Sequence, residues 1–272
     1  MIGYTLTRCL IDCDKIETIP VVRKHNRSFF KNTIVSEISY DFLDNLISSK
    51  KPQYIINCIG LTKHIESKDH RLFFYPNILI PHFLKILSNK YKFSLIHISS
   101  DCVFNGQKGL YNDKDFSNAV DYYGISKSIS ENDLKDSAMI LRTSTVGHEY
   151  DTYYGLLEWF LKQSSSIKGY DKAFFNGVTT ITLAKIINKI ILSNNFFETG
   201  IFNIGGQKIS KYKFLLMIKK IYMKNIDIIP CNSLIIDRTL VQSKKISDIW
   251  NHETWEQQIK TMKDDFEKKF YQ

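Results

Sequence analysis

Two hydrophobic periods alternate through the first half of the chain. Residues 3–13 place Leu6, Cys9, Leu10 and Cys13 on one side of a helix. IETIPVV then reads as a strand and YDFLDNLISS as an amphipathic helix. QYIINCIG is a short apolar run closed by Gly60, the form of a buried parallel strand. A helical stretch over about 68–89 carries Pro76 and Pro81, which bend or split it because proline has no N–H and its ring clashes with the preceding turn. FSLIHIS is the next buried strand, 121–135 the next helix and AMILRTS the strand after it. This alternation predicts an α/β fold with a parallel sheet covered by helices on both faces.

The second half is less regular. GLLEWFL, TLAKIINKIILS, KYKFLLMIKKIYM and WEQQIKTMKDDFEKKF have amphipathic helical spacing, and GIFNIGG reads as a strand ending at a turn. The expected division is 1–145 for the sheet-forming domain and 146–272 for a smaller portion that returns some elements to it.

Charge and cysteine content narrow the function classes. The formal net charge is +9 over 272 residues, a balance that attracts anions. The lysines are scattered among acids and accompany no helix-turn-helix, zinc finger or RNP-like aromatic motif, so nucleic acid is not an expected partner. No apolar run is long and clean enough to span a bilayer, and the first residues lack the parts of a signal peptide, so neither membrane insertion nor export is expected. Five cysteines without a CxxC pair suggest neither a disulfide framework nor a zinc site, and no metal is expected. Cys9 and Cys13 read as small apolar residues packed beneath a helix. A reducing, cytoplasmic setting fits.

The chemistry concentrates in one region. Tyr123 and Lys127 stand four apart on the 121–135 helix and so share a face. An ammonium beside a phenol favours the phenolate, which lowers the tyrosine pKa and makes it a usable acid and base. Ser100 follows directly on the strand FSLIHIS, where ligands bind in open parallel sheets, and its hydroxyl is placed to hold a substrate carbonyl.

These segments resemble the extended short-chain dehydrogenase/reductases and, within them, the dTDP-4-dehydrorhamnose reductase family. Ser99 through Gly106 match its strand-end signature S-[TS]-D-x-V-F-x-G. Tyr111-Asn112-Asp113-Lys114-Asp115 approximate its Y-x-E-x-D, and Tyr123-Gly124-Ile125-Ser126-Lys127 match its YGxxK, with Glu131 in the downstream acidic position. ILRTSTVGHE, KPQYIINCIGLTKH and the pair Asn77 and Pro81 resemble further segments, in order, over nearly the whole chain.

The resemblance implies a Rossmann-like doubly wound sheet that binds a dinucleotide through 1–145, and a substrate-binding portion over 146–272. It implies an NADPH-dependent reductase, with NADH as the alternative cofactor, acting on the 4-keto group of a nucleotide-linked deoxysugar for surface polysaccharide synthesis. Ser100, Tyr123 and Lys127 are the implied catalytic set, with Tyr123 as proton donor, Ser100 holding the ketone oxygen and Lys127 holding the nicotinamide ribose. Cys58, Ile59 and Gly60 line the cofactor, and Asn77 supports that backbone. Arg23 and Lys24 follow the family's second strand, where a basic group favours the 2′-phosphate of NADP. Arg238, with Asp101 beside Ser100, falls on the substrate side, and a homodimer is compatible.

One family feature has no counterpart. Gly3 matches the third glycine of the phosphate-binding turn, but the strand before it and the first two glycines are absent. That strand is central in a doubly wound sheet, so its neighbours are expected to lack ladder partners. The missing turn gives the alternative: a non-catalytic NADP-binding regulatory subunit or a truncated, inactive homologue, since the same fold serves as a binding module in the regulatory β subunit of methionine adenosyltransferase.

Overall fold

The structure, a computed structural model, describes residues 1–23, 30–62, 69–149, 152–193 and 195–270. The chain opens with α1 (Ile2–Ile11), β1 (Val21–Val22), β2 (Ile34–Val35), α2 (Tyr40–Lys50) and β3 (Tyr54–Asn57). A 3-10 turn (His70–Phe73) and a π turn (Tyr75–Leu79) lead into α3 (Ile80–Tyr91). Pro76 and Pro81 therefore split the helical stretch into three pieces, as its prolines predict. Next come β4 (Ser94–Ser100), α4 (Tyr122–Leu134), β5 (Ala138–Thr143) and β6 (Thr145–Val146).

β3, β4 and β5 form a parallel sheet in which side chains alternate between two cores. Ile96, Ile98, Met139 and Leu141 face Leu6 and Leu10 of α1. Leu95 and Ile140 face the other way, onto Leu43 and Ile47 of α2 and Leu84 and Leu87 of α3. Helices on both faces make this the doubly wound arrangement expected from the alternation.

The rest of the chain contributes α5 (Leu156–Lys162), β7 (Ile167–Tyr170), β8 (Ala173–Phe175), β9 (Val178–Thr179), α6 (Thr180–Leu192), β10 (Gly200–Asn203) and β11 (Ile209–Ser210). It ends with α7 (Lys211–Ile221), β12 (Ile228–Cys231), β13 (Ile236–Asp237), α8 (Lys244–Ser247) and α9 (Trp255–Phe270). β10 pairs with β5 and completes a four-stranded parallel sheet, β10-β5-β4-β3. Leu183, Ile186, Ile187 and Ile190 of α6 pack on the same face as α1. A separate core of Phe160, Phe175, Phe214, Trp255 and Ile259 lies under α5, α7 and α9. Buried Arg8 in α1 pairs with Asp265 in α9.

Two expectations need correction. The strand over 16–22 reduces to Val21–Val22, preceded by Pro20, which has no N–H to give a ladder. Cys13 lies beyond the end of α1, so it does not share the helix face of Cys9, which packs against the core.

β1 pairs in parallel only with β2, and among the described residues no strand pairs with the outer edge of β3. Among the described residues, no helix is long and apolar enough to cross a membrane.

Candidate functional site

β4 ends at Ser100, and the chain passes into a 3-10 turn, Asp101–Val103. Ser100 Oγ caps this turn by accepting the Cys102 N–H at 3.1 Å, and it donates to Asp101 Oδ1 at 3.1 Å. All of Ser100, Asp101 and Cys102 are buried.

Helix α4 starts against the same turn. Asp121 caps it by accepting the Gly124 N–H at 2.8 Å. A Cβ placed on Gly124 would stand 2.1 Å from the Cys102 carbonyl oxygen, so only glycine lets the first turn of α4 approach this closely. The approach brings the half-buried Tyr123 beside Ser100, whose side chain acts on the phenol.

Lys127 is one turn further along and buried. Its Nζ donates to the Ile98 carbonyl at 2.8 Å and lies 3.0 Å from His97 Nε2. The expected lowering of the Tyr123 pKa by this lysine is not what the structure shows. Burial pushes the phenol well above its ordinary range, Cys102, Asp101 and Asp121 add to the rise, and the Ser100 side chain opposes it. The reason is geometric: the lysine nitrogen is turned toward the strand. Burial in turn lowers Lys127 to about 8, against the pull of Glu131 and Cys58.

The loop after β3 closes the other side. Asn77, fully buried, accepts the Leu61 N–H at 2.8 Å, donates back to the Leu61 carbonyl at 3.0 Å and donates to Ser126 Oγ at 2.9 Å. It therefore ties the 58–61 loop to α4. Cys58 and Ile59 are half-buried and Gly60 is exposed. Burial raises the Cys58 thiol to about 12, so it is uncharged. Gly3 abuts this loop, since a Cβ on it would lie 3.4 Å from Cys58 Cβ.

Arg238 crosses from the second half of the chain. Its Nε donates to the Phe104 carbonyl at 2.9 Å, and its guanidinium lies 3.9 Å from Asp121. Ser100, Asp101, Tyr123, Lys127, Asn77, the 58–61 loop, Gly3 and Arg238 thus converge beyond the carboxyl ends of β3 and β4. Arg23 lies exposed directly after β1, on the two-stranded sheet. Lys24 lies outside the described residues.

The sequence placed Glu131 downstream of Lys127 but not its partners, and it did not single out His97 or Asn57. Glu131 accepts from Arg142 Nε at 3.0 Å and NH2 at 2.7 Å and from the Ser99 hydroxyl, all buried, which locks α4 onto β4 and β5. His97 and Asn57 form a chain leading to Lys127. The parallel register supplies the only sequence signal for them, since Asn57 stands opposite His97 across β3 and β4.

The chain matches the family described as the RmlD substrate binding domain over residues 10–266. It belongs to that family. No curated protein matches it significantly. Among solved structures, it is similar to a hypothetical dTDP-4-dehydrorhamnose reductase from Sulfolobus tokodaii, at 23% identity over 93% of this chain and 92% of that one, with a TM-score of 0.76. The dTDP-4-dehydrorhamnose reductase of Bacillus anthracis, solved with NADP, is 18% identical over 84% and 85%, with a TM-score of 0.73. The Bordetella bronchiseptica enzyme WbmG, solved with NAD and UDP, is 16% identical over 99% and 91%, with a TM-score of 0.80. At these identities the likeness to solved structures concerns the fold, which is the Rossmann-like one expected.

Proposed function

We propose that this chain is an NADPH-dependent oxidoreductase that reduces the 4-keto group of a nucleotide-linked deoxysugar, in the cytoplasm, for surface polysaccharide precursors. The observation that carries this reading is the close approach of α4 to the strand-end turn, which sets Tyr123 beside Ser100 at the end of β4, with Lys127 one helical turn away. A reduced nicotinamide, when bound, would supply the hydride. Ser100 and Tyr123 hold the ketone oxygen, and Tyr123 gives it a proton as negative charge develops there. The upward shift of Tyr123 keeps the phenol protonated at neutral pH, the form a reductase needs.

The residues present fit the nicotinamide end of a dinucleotide: Cys58, Ile59 and Gly60 offer backbone, and Lys127 keeps an N–H beyond its bond to Ile98. At the pyrophosphate end they offer Gly3 and the start of α1. Arg23 answers the 2′-phosphate, and Arg238 the diphosphate of the substrate. NADP in the Bacillus anthracis structure and UDP beside NAD in WbmG support these assignments. The edge of β3, which has no ladder partner among the described residues, favours a second reading, a binding module without turnover.

NADPH oxidation in the presence of dTDP-4-keto-6-deoxysugars separates the two. Turnover that falls at least about 10²-fold in Tyr123→Phe, with NADPH affinity retained, supports the reductase. NADPH binding without turnover by the unaltered chain supports the binding module.

A further inference from the structure

A buried chain of polar groups runs behind Lys127, away from the substrate side. The Ile59 backbone N–H meets Asn57 Oδ1 at 3.0 Å. Asn57 Nδ2 lies 3.0 Å from His97 Nδ1, and His97 Nε2 lies 3.0 Å from Lys127 Nζ. Asn57, His97 and Lys127 are 3%, 0% and 4% exposed, so water does not substitute for a missing partner.

The direction of this chain is fixed at one end. A backbone N–H is always a donor, so the Asn57 oxygen must face Ile59 and the Asn57 NH2 must face His97. The NH2 donates, so His97 Nδ1 must accept and carries no proton. Neutral imidazole then has its proton on Nε2, aimed at the lysine nitrogen. That nitrogen satisfies the contact only as an amine, which accepts through its lone pair while donating to the Ile98 carbonyl.

We propose that His97 is a positioning residue whose Nε2–H tautomer, set by Asn57 and the Ile59 N–H, stabilises Lys127 as a neutral amine. The inference rests on the reductase reading for its use. When Tyr123 has given its proton to the ketone oxygen, Lys127 supplies, relayed through water because its nitrogen is turned toward the strand, the proton that restores the phenol: an N–H bond of the ammonium breaks, an O–H bond forms, and an amine remains. The His97 N–H meets the lone pair of that amine. Solvent protons then recharge it.

Among the described residues, Glu131 pulls the other way without cancelling this bias, since the net shift of Lys127 is downward. Cys58 at the end of β3 is uncharged, and burial holds His97 neutral. Tyr123 and Glu131 lie on α4 with Lys127. Tyr123 is protonated, and Glu131 is neutralised by Arg142 of β5. Asp101, beyond Ser100, bears on Tyr123.

The test uses the whole chain labelled with ¹⁵N-histidine and ¹³C-lysine, without ligand. Long-range ¹H–¹⁵N spectra from pH 6 to 9.5 report the His97 tautomer, assigned by loss of its signals in His97→Gln. Lysine Cε shifts report the Lys127 titration. We expect a neutral Nε2–H imidazole wherever Lys127 is uncharged. In Asn57→Asp the carboxylate accepts from both Ile59 and His97 Nδ1–H, and its charge adds to the reversal, so the tautomer inverts and the Lys127 midpoint rises by at least one pH unit. In a chain that turns over keto-sugar, the kcat–pH profile shifts with that midpoint. A Nδ1–H tautomer in the unaltered chain beside uncharged Lys127 overturns the proposal, as does a folded Asn57→Asp variant with an unmoved midpoint. The tautomer needs neither a variant nor activity, so absence of turnover counts against the reductase reading alone.

Discussion

Asn77 Nδ2 donates to Ser126 Oγ at 2.9 Å, on the turn of α4 that separates Tyr123 from Lys127. One side chain thereby couples the loop after β3 to the helix that carries both reactive groups. Asn77→Ala leaves the Leu61 N–H and carbonyl without this partner, and such a loss costs about 1–3 kcal/mol. We expect denaturant unfolding to show a loss of that size and NADPH titration to show weaker binding. Asn77→Ala with unchanged cofactor affinity would separate the clamp from the cofactor loop.

Gly124→Ala tests the approach of α4 to the strand-end turn. The new methyl group would lie 2.1 Å from the Cys102 carbonyl oxygen and 2.7 Å from Ala119 Cβ, so backbone must move. Overpacking of this kind costs about 1–3 kcal/mol, and at this chain length each kcal/mol lowers Tm by roughly 2–4 °C. Because the displaced turn is the one that begins at Ser100, keto-sugar turnover should fall more than stability. Calorimetry paired with a cofactor-oxidation assay checks both, and an unshifted Tm would mean that the turn yields freely.

The open edge of β3 makes a third prediction. Tyr54, Ile55 and Ile56 are half-buried, and the outward backbone groups of this strand have no ladder partner among the described residues. A five- or six-residue β-branched strand joined through a Gly-rich turn ahead of Gly3 should pair there and bridge toward β1. We expect a higher Tm and tighter NADPH binding than with a scrambled extension of equal length. Equal values for the two extensions would show that the edge accepts no strand.

Much of this architecture was legible because it depends on local period. The apolar runs around Ile56, Ile96 and Ile140 became the parallel strands, and the Tyr123–Lys127 spacing fell on a helix. The end of β4 at Ser100 was legible for the same reason. What depended on distant partners was not legible. His97 is one polar letter in an apolar strand, and its partners lie 40 residues before it and 30 after it. The Tyr123 shift was misjudged because four-residue spacing fixes a shared helix face but not where a long lysine side chain points. Here the Ile98 carbonyl and His97 draw the nitrogen inward, and burial decides the phenol.

Lys127 gives the last prediction, a dependence of stability on pH. Burial lowers its folded pKa from 10.5 to about 8. Between those values the unfolded chain binds a proton that the folded chain does not. Stability therefore rises with pH across this window, and below it both states are charged and the folded state carries the whole cost of a buried ammonium. The shift corresponds to about 3 kcal/mol over the full window. Lys127→Met removes the charge in both states and so removes this slope. Tyr123 does not disturb the comparison, because it is present in both proteins and its shift is upward from 10.0, above the higher pH compared. Urea unfolding at pH 7.5 and 9.5 should show the unaltered protein gaining about 1–2 kcal/mol on the variant between the two values. Parallel behaviour of the two proteins would mean that Lys127 titrates like an exposed lysine, and would remove it as a proton source near neutral pH.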